Sequence, residues 1–208
     1  MNRQNLRLSV LAAALAAAAF VPTVAAAQEG PWLVRVRAVN LDSANKSDTT
    51  PDLKLSVNDK VIPEVDISYF FTPNLAAELV LTVPQKHDIR SDGTKIGTLK
   101  HLPPTLLAQY HFTGGAFKPY VGLGLNLTLF SDVKFDPAVD AALAPSVKSS
   151  STGLAFQVGF DYAISKSTYL NVDLKKVQIG TDVRSAGTKI GTFKVDPTLV
   201  GVGLGWRF

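Results

Sequence analysis

The chain ends LVGVGLGWRF (199–208), and this stretch decides the fold. Val200, Val202, Leu204, Trp206 and Phe208 put an apolar side chain at every second position, finishing on a terminal aromatic. Strand side chains alternate between faces, so all five share one face. Lipid suits such a face, and the segment reads as a membrane-crossing strand of a closed barrel.

The other end of the chain agrees. Met1 to Arg7 carries two arginines and no acid, LSVLAAALAAAAFV (8–21) is an apolar core too short to span a bilayer, and Ala25, Ala26 and Ala27 form a small-residue cleavage site before Gln28. Residues 1–27 therefore read as an export signal, and 28–208 as one outer-membrane barrel domain of 181 residues. Without Arg3 and Arg7, 19 basic residues face 17 acidic ones, a balance that implies no nucleic-acid partner. The chain has no cysteine, so no disulfide framework holds it, and stability must come from backbone pairing and burial.

Between these ends no apolar run approaches the roughly 20 residues of a membrane helix. Eight segments instead alternate with period two, near 31–41, 60–71, 75–85, 99–112, 117–130, 152–163, 168–179 and 195–208. Their outward rows are apolar, as in Leu75, Ala77, Leu79, Leu81, Val83 and in Val121, Leu123, Leu125, Leu127, Leu129. The connections alternate. Thr72–Asn74, Thr113–Ala116 and Ile164–Ser167 are tight, whereas 42–59, 86–98, 131–151 and 180–194 are long and polar. That asymmetry predicts an all-β, eight-stranded antiparallel transmembrane barrel with long extracellular loops, short periplasmic turns and both termini in the periplasm. A soluble sandwich also alternates but does not demand eight apolar rows with this loop asymmetry. Trp32, Tyr69, Phe71, Tyr110, Phe112, Phe160, Tyr162, Trp206 and Phe208 gather at the turn ends as one aromatic girdle.

An internal echo pairs RSDGTKIGTLKHLPPTL (90–106) with RSAGTKIGTFKVDPTL (184–199). Each copy offers a basic, glycine-bounded hairpin, GTKIGT, suited to a twisted extension above the membrane. Neither copy has the GxxxxGK[ST] order or the following helix of a phosphate loop.

GTKIGTLKHLPPTLLAQYHF (93–112), FKPYVGLGLNLTLF (117–130) and LVGVGLGWRF resemble the OmpW family of small outer-membrane barrels, to which the AlkL-type alkane-uptake proteins are related. The likeness covers essentially the whole mature chain, and KHLPP at 100–104 carries it most specifically. It implies an eight-stranded barrel that passes small hydrophobic molecules, and an aromatic end, Phe208, that the barrel assembly machinery reads as an assembly signal. Some members also look like bacteriocin receptors, a trait of their variable loops.

Eight strands leave room inside for side chains or one small ligand, which excludes a water-filled pore. The inward rows hold Arg35, Arg37, Lys175 and Arg207 against Glu64, Asp66, Glu78, Asp161 and Asp173, with Gln109, His111, Asn126, Gln157 and Asn171 nearby. Arg35, Glu78, Asp161 and Arg207 are expected to form a polar plug toward the periplasm. Val39, Ile62, Leu107, Phe130 and Leu199 are expected to form a hydrophobic lumen above it. Pro63, Pro84, Pro103 and Pro104 fall on strands two, three and four, and each removes a ladder donor. They mark either bulges and rims above the bilayer or a lateral opening through which a hydrophobic solute enters outer-membrane lipid.

His87, His101 and His111 are too scattered to suggest a metal cluster, and nothing in the sequence positions Ser91, His87 and Asp88 as a nucleophile, base and orienter. No enzyme and no cofactor is expected. The expected function is passage of small hydrophobic solutes into the outer membrane of a Gram-negative bacterium. The alternative is a loop-borne receptor or adhesin for a bacteriocin, phage or host.

Overall fold

A computed structural model describes residues 30–208, so the expected export signal lies outside the described residues. The strands follow in chain order: β1 (Trp32–Asp42), β2 (Lys46–Thr49), β3 (Leu55–Val57), β4 (Lys60–Phe70), β5 (Leu75–Thr82), β6 (Gln85–Ser91), β7 (Thr94–Leu102) and β8 (Thr105–His111). Then come β9 (Phe117–Phe135), the short helix α1 (Pro137–Leu143), β10 (Pro145–Val147), β11 (Ser150–Ala163), β12 (Thr168–Val177), β13 (Gly180–Ser185), β14 (Thr188–Lys194) and β15 (Thr198–Arg207). Among the described residues no helix is long and apolar enough to cross a membrane.

Strands β1, β4, β5, β8, β9, β11, β12 and β15 each pair antiparallel with the next, and β15 pairs back onto β1. The sheet is thus a closed eight-stranded barrel with no free edge, which lipid demands of any sheet that crosses it. The alternation is inside out relative to a soluble protein. On β1, Arg35 and Arg37 are buried while Trp32 and Val36 are exposed, and the other strands repeat the pattern with Leu79, Leu125, Phe156 and Val202 facing out.

The periplasmic turns are fixed by side-chain capping: the Leu75 amide donates to Thr72 Oγ1 (2.9 Å), Asn74 Nδ2 donates to the His111 carbonyl (2.7 Å) and the Thr168 amide donates to Ser165 Oγ (3.1 Å). At the opposite end the four long polar segments are largely strand. β6, β7, β3 and the upper part of β9 extend the barrel sheet, and β10, β13, β14 and β2 form a second sheet. The two echoed segments are the two hairpins of this extension. Their turns are Asp92–Gly93 and Ala186–Gly187, each with φ of +46° then +81°, the left-handed pair of a tight hairpin. GTKIGT is therefore not a hairpin by itself. Its first glycine completes the turn, and its second sits where each ladder slips register, opposite Ile89/Arg90 and Val183/Arg184. A side chain at Gly97 would run into the Lys134 carbonyl and one at Gly191 into the Asp48 carbonyl, so both glycines let a neighbouring strand approach.

The interior is layered. Leu33, Phe70, Ala76, Ala116, Ala163 and Tyr169 form a small apolar base at the periplasmic end. Charged and polar side chains fill the middle. Above them Val39, Leu41, Ile62, Val80, Leu107, Phe130 and Leu199 begin an apolar core that continues into the extension through Leu55, Ile89, Leu99, Val183 and Phe193.

Candidate functional site: an ionic floor beneath an apolar chamber

Arg35 points inward from β1 and is fully buried. Its Nε and Nη2 donate to both oxygens of Asp161 (3.1 and 2.6 Å), and its Nη1 donates to Glu78 (2.6 Å) and Ser68 (3.1 Å). Two residues higher, Arg37 pairs with Asp66, with Glu64 (3.1 Å) and with Asp173 (3.2 Å). Lys175 bridges Glu64 (2.6 Å) and Asp173 (2.9 Å). Gln157 Nε2 donates to Glu78 and Asp173 (both 2.8 Å), Gln157 Oε1 accepts from Gln109 Nε2 (2.7 Å), and with Tyr120 of β9 donating to Asp173 seven of the eight strands contribute to one network. The eighth, β15, contributes space. A Cβ at Gly203 would run into the Val36 carbonyl and then Arg37 Cγ (2.8 Å), and one at Gly205 would press on Arg35 Cγ at 3.2 Å. Alternate glycines on β15 are thus the counterpart of alternate arginines on β1.

Of the expected plug, Arg35, Glu78 and Asp161 do converge. Arg207 does not join them. It lies half-buried at the periplasmic rim, donating from Nε to the Gly30 carbonyl (2.8 Å) with its guanidinium 3.8 Å from the centre of the Phe70 ring. Arg207 is the penultimate residue, one step past the glycine row, so its side chain lies beside Phe70 of the apolar base rather than in the ionic layer. The floor therefore holds three buried cations, Arg35, Arg37 and Lys175, against five carboxylates. Tyr120 was missed by sequence reasoning: buried at the network's centre, it donates to Asp173 (2.8 Å) and accepts from Asn171 Nδ2 (3.0 Å). Its parity with Gly122, Gly124 and Asn126 was the available signal.

Above the floor, Val39, Ile62, Leu107, Phe130 and Leu199 are all buried in one apolar cluster. Ile62 and Leu199, with Leu41 and Val80, line a cavity of about 20 Å³, room for about one water-sized sphere. The same cavity touches Thr82 and Pro103. There the wall is interrupted. The β5–β8 ladder ends at Val80 and Thr105, and the β6–β7 ladder resumes at Gln85 and His101. The segments between them contain Pro84 on one side and Pro103 and Pro104 on the other. Pro63 stands beside the gap on β4, its carbonyl accepting from Thr82 Oγ1 (2.8 Å). Toward β9 the wall stays closed: Asn126 Nδ2 donates to the Pro103 carbonyl (3.2 Å) and the Leu127 amide to the Pro104 carbonyl (3.0 Å).

Two of the three histidines too scattered by spacing to suggest a metal cluster form a pair. His87 and His101 project inward just above the gap, buried, with rings stacked at 4.6 Å and 22°. His87 Nδ1 donates to the Asn58 carbonyl (2.9 Å), and neither Nε2 has a hydrogen-bond partner. Burial lowers the pKa of both, and burial together with His87 takes His101 to about 3, so the pair is neutral. Ser91, His87 and Asp88 do not converge: His87 faces the lumen, Ser91 Oγ donates to the Leu53 carbonyl (2.7 Å), and Asp88 pairs outside with Lys95 (2.8 Å). Among the described residues no group of three or more His, Cys, Asp or Glu could hold a metal ion.

The model of the OmpW family matches residues 28–208. The chain belongs to that family. It is 34% identical to outer membrane protein W of Vibrio cholerae over 97% of both chains, and 28% identical to outer membrane protein AlkL of Ectopseudomonas oleovorans over 76% of this chain and 70% of that one. The crystal structure of the outer membrane protein OprG from Pseudomonas aeruginosa superposes with a TM-score of 0.74 at 28% identity, covering 86% of this chain and 97% of that one. This OmpW-family barrel resides in the outer membrane, its apolar outer rows embedded in lipid.

Proposed function

We propose that this OmpW-family barrel is a conduit that receives small hydrophobic molecules from outside and releases them sideways into the outer membrane. The observation that carries the reading is the cavity between Ile62, Val80 and Leu199, which borders the unpaired wall at Thr82 and Pro103 and sits on an ion-paired floor. An apolar guest gains by staying in the chamber and loses heavily by entering the floor, where it would separate buried ion pairs. Since the cavity holds no more than about a water-sized sphere, passage requires the wall to part, and the proline gap is where the fewest ladder bonds oppose parting. The relationship to AlkL, whose kind the sequence likeness associates with alkane uptake, points the same way.

The test restores the missing donors. Pro84→Thr with Pro103→Thr permits the ladder to run through, and uptake of a hydrophobic solute by cells at matched surface expression should fall well below wild type while a hydrophilic control stays unchanged. Undiminished uptake would show that the route is axial or that the barrel does not transport.

Phe208 serves this reading only by placing the barrel. Its backbone exchanges two hydrogen bonds with Trp32 (2.9 and 3.0 Å) and its ring faces lipid. Deleting it should lower the amount of barrel in the outer membrane without altering uptake per folded molecule.

A further inference from the structure

We propose that the outer face of β6, β7 and β9 immediately above the bilayer binds the phosphate groups of a phosphorylated glycolipid of the outer leaflet. Three lysines converge there. Lys86 and Lys100 stand directly opposite each other in the β6–β7 ladder, and Lys134 is one step farther along β9, opposite Thr98. Asp132 is the carboxylate they share: Lys100 contacts it at 2.6 Å, and Lys100, Lys134 and Lys86 together hold it below the usual carboxylate range. The nearest other carboxylate on that face, Asp88, is taken by Lys95 (2.8 Å) and Arg90 (3.9 Å). Three ammonium groups around one carboxylate leave an excess charge of two.

The height of the cluster identifies its partner. One same-face step below Lys100 and Ser131 lie Leu102 and Leu129, and Leu129 is on the lipid-facing row. Ammonium groups one step beyond the last apolar layer meet lipid headgroups, where anionic groups attract clustered lysines. A cross-strand lysine pair also weakens a hairpin unless an anion lies between the two. The second hairpin is an internal control. Lys194 matches Lys100 in the repeat, but its ladder partner is Gly180 where the first hairpin has Lys86. There Lys148 and Lys189 are both paired with Asp182 (2.8 and 2.7 Å). The second copy thus lacks the cross-strand lysine pair that the first presents.

The experiment uses the full mature barrel in phospholipid nanodiscs, offered bisphosphorylated lipid A or its fully dephosphorylated form, with bound lipid counted by native mass spectrometry. Wild type should retain the phosphorylated lipid, and Lys86→Gln/Lys100→Gln/Lys134→Gln should retain it at least about tenfold less, from roughly one ion-pair contribution per lysine. Lys189→Gln in the second hairpin should match wild type, and raising salt should weaken retention by wild type more than by the triple variant. Heat-modifiability on gels confirms that each variant is folded before it is compared. Equal retention by the triple variant, equal retention of the dephosphorylated lipid, or equal thermal stabilisation by inorganic phosphate alone would overturn the proposal.

Discussion

The floor and the chamber of this barrel lie within one sheet, a few residues apart on the same strands, yet they are filled by opposite means. At the level of Arg35 and Arg37 the lumen is occupied by side chains whose charges fix one another, with glycines on β15 sized to the arginine stems. At the level of Ile62 and Leu199 it is filled mainly by apolar groups that leave a cavity reaching down to Glu64 and Lys175, behind a wall short of ladder bonds. Close ion pairs across the lumen make the first layer a stopper. Non-directional packing lets the second rearrange at small cost. An eight-stranded barrel has too little interior for a bore, so passage has to come from such a difference in stiffness.

The largest effect should come from breaking the stopper. Arg35→Gln leaves Glu78 and Asp161 buried without their main cation, and removing one partner of a buried ion pair costs about 3–5 kcal/mol. Urea unfolding in lipid vesicles should show a lower midpoint of that order. Uptake of a hydrophobic solute per folded barrel should stay near wild type, because the proposed exit lies above Arg35. A variant that loses uptake while keeping its stability would erase the distinction between floor and chamber.

The complementary change puts a charge where the chamber is apolar. Leu107 is buried in the upper cluster, and its ladder partner is Glu78, so Leu107→Asp sets a second carboxylate beside the floor's own. An unpaired buried carboxylate costs on the order of several kcal/mol, or takes up a proton instead. Hydrophobic uptake at matched surface expression should fall sharply and the hydrophilic control should not change. Uptake equal to wild type would sink the lateral route.

Much of this contrast is readable in the residues themselves. Strict period two on a chain with apolar outward rows leaves only one topology, and once parity is known Arg35, Glu78, Asp161, Ile62 and Leu199 fall on the lumen side without further information. What parity cannot supply is height and convergence. Arg207 has lumen parity but lies at the rim, because β15 has already passed the ionic layer at Gly203 and Gly205. His87 and His101 are fourteen positions apart and become neighbours only through the register of a hairpin whose turn, Asp92–Gly93, lies midway. The four prolines are visible as missing donors. That they border a single gap follows from a one-residue slip between two ladders, which spacing does not reveal. Within the extension the two echoed hairpins are legible from the repeat, whereas β2, β3 and β10 are too short to show a period.

The histidine pair sets the pH dependence of the chamber's upper edge. Both folded pKa values are depressed, so the closed state keeps its imidazoles neutral while an opened hairpin, with ordinary values near 6.5, takes up protons. Stability from this source is complete above about pH 6.5 and is lost as pH falls toward about 3. Of the charged groups near the pair, Lys60 opposes a histidinium and Asp59 favours one, while Asp88 is engaged outside by Lys95. By pH 5 His101 alone should favour opening by about 2 kcal/mol. Hydrogen exchange at Leu99 and His101, corrected for its intrinsic pH dependence, should accelerate between pH 7 and 5. The floor amides around Arg35 should not follow. The second hairpin carries Thr181 and Val195 at the matching positions, so His87→Thr with His101→Val should remove the dependence.

The smallest effect distinguishes the layers by a single carbon each. Gly205→Ala adds a methyl that meets Arg35 Cγ at 3.2 Å and Leu33 Cδ1 at 3.3 Å, contacts tighter than ordinary packing, against an arginine held by three partners that cannot give way. Overpacking at such a site costs about 1–3 kcal/mol. Val80→Ile also adds one carbon, but Val80 lines the cavity beside Ile62 and Leu199, and the new methyl has space to enter. It should be neutral, or stabilise by up to about 0.8 kcal/mol, the gain of burying one methylene. The two variants can be unfolded side by side in the same vesicles, so that only the difference is read. If the alanine is tolerated and the isoleucine is not, the floor is the slack layer and the chamber the rigid one. A solute would then have to be sought below Arg37, and the wall gap at Pro103 would be a rim feature without a role in passage.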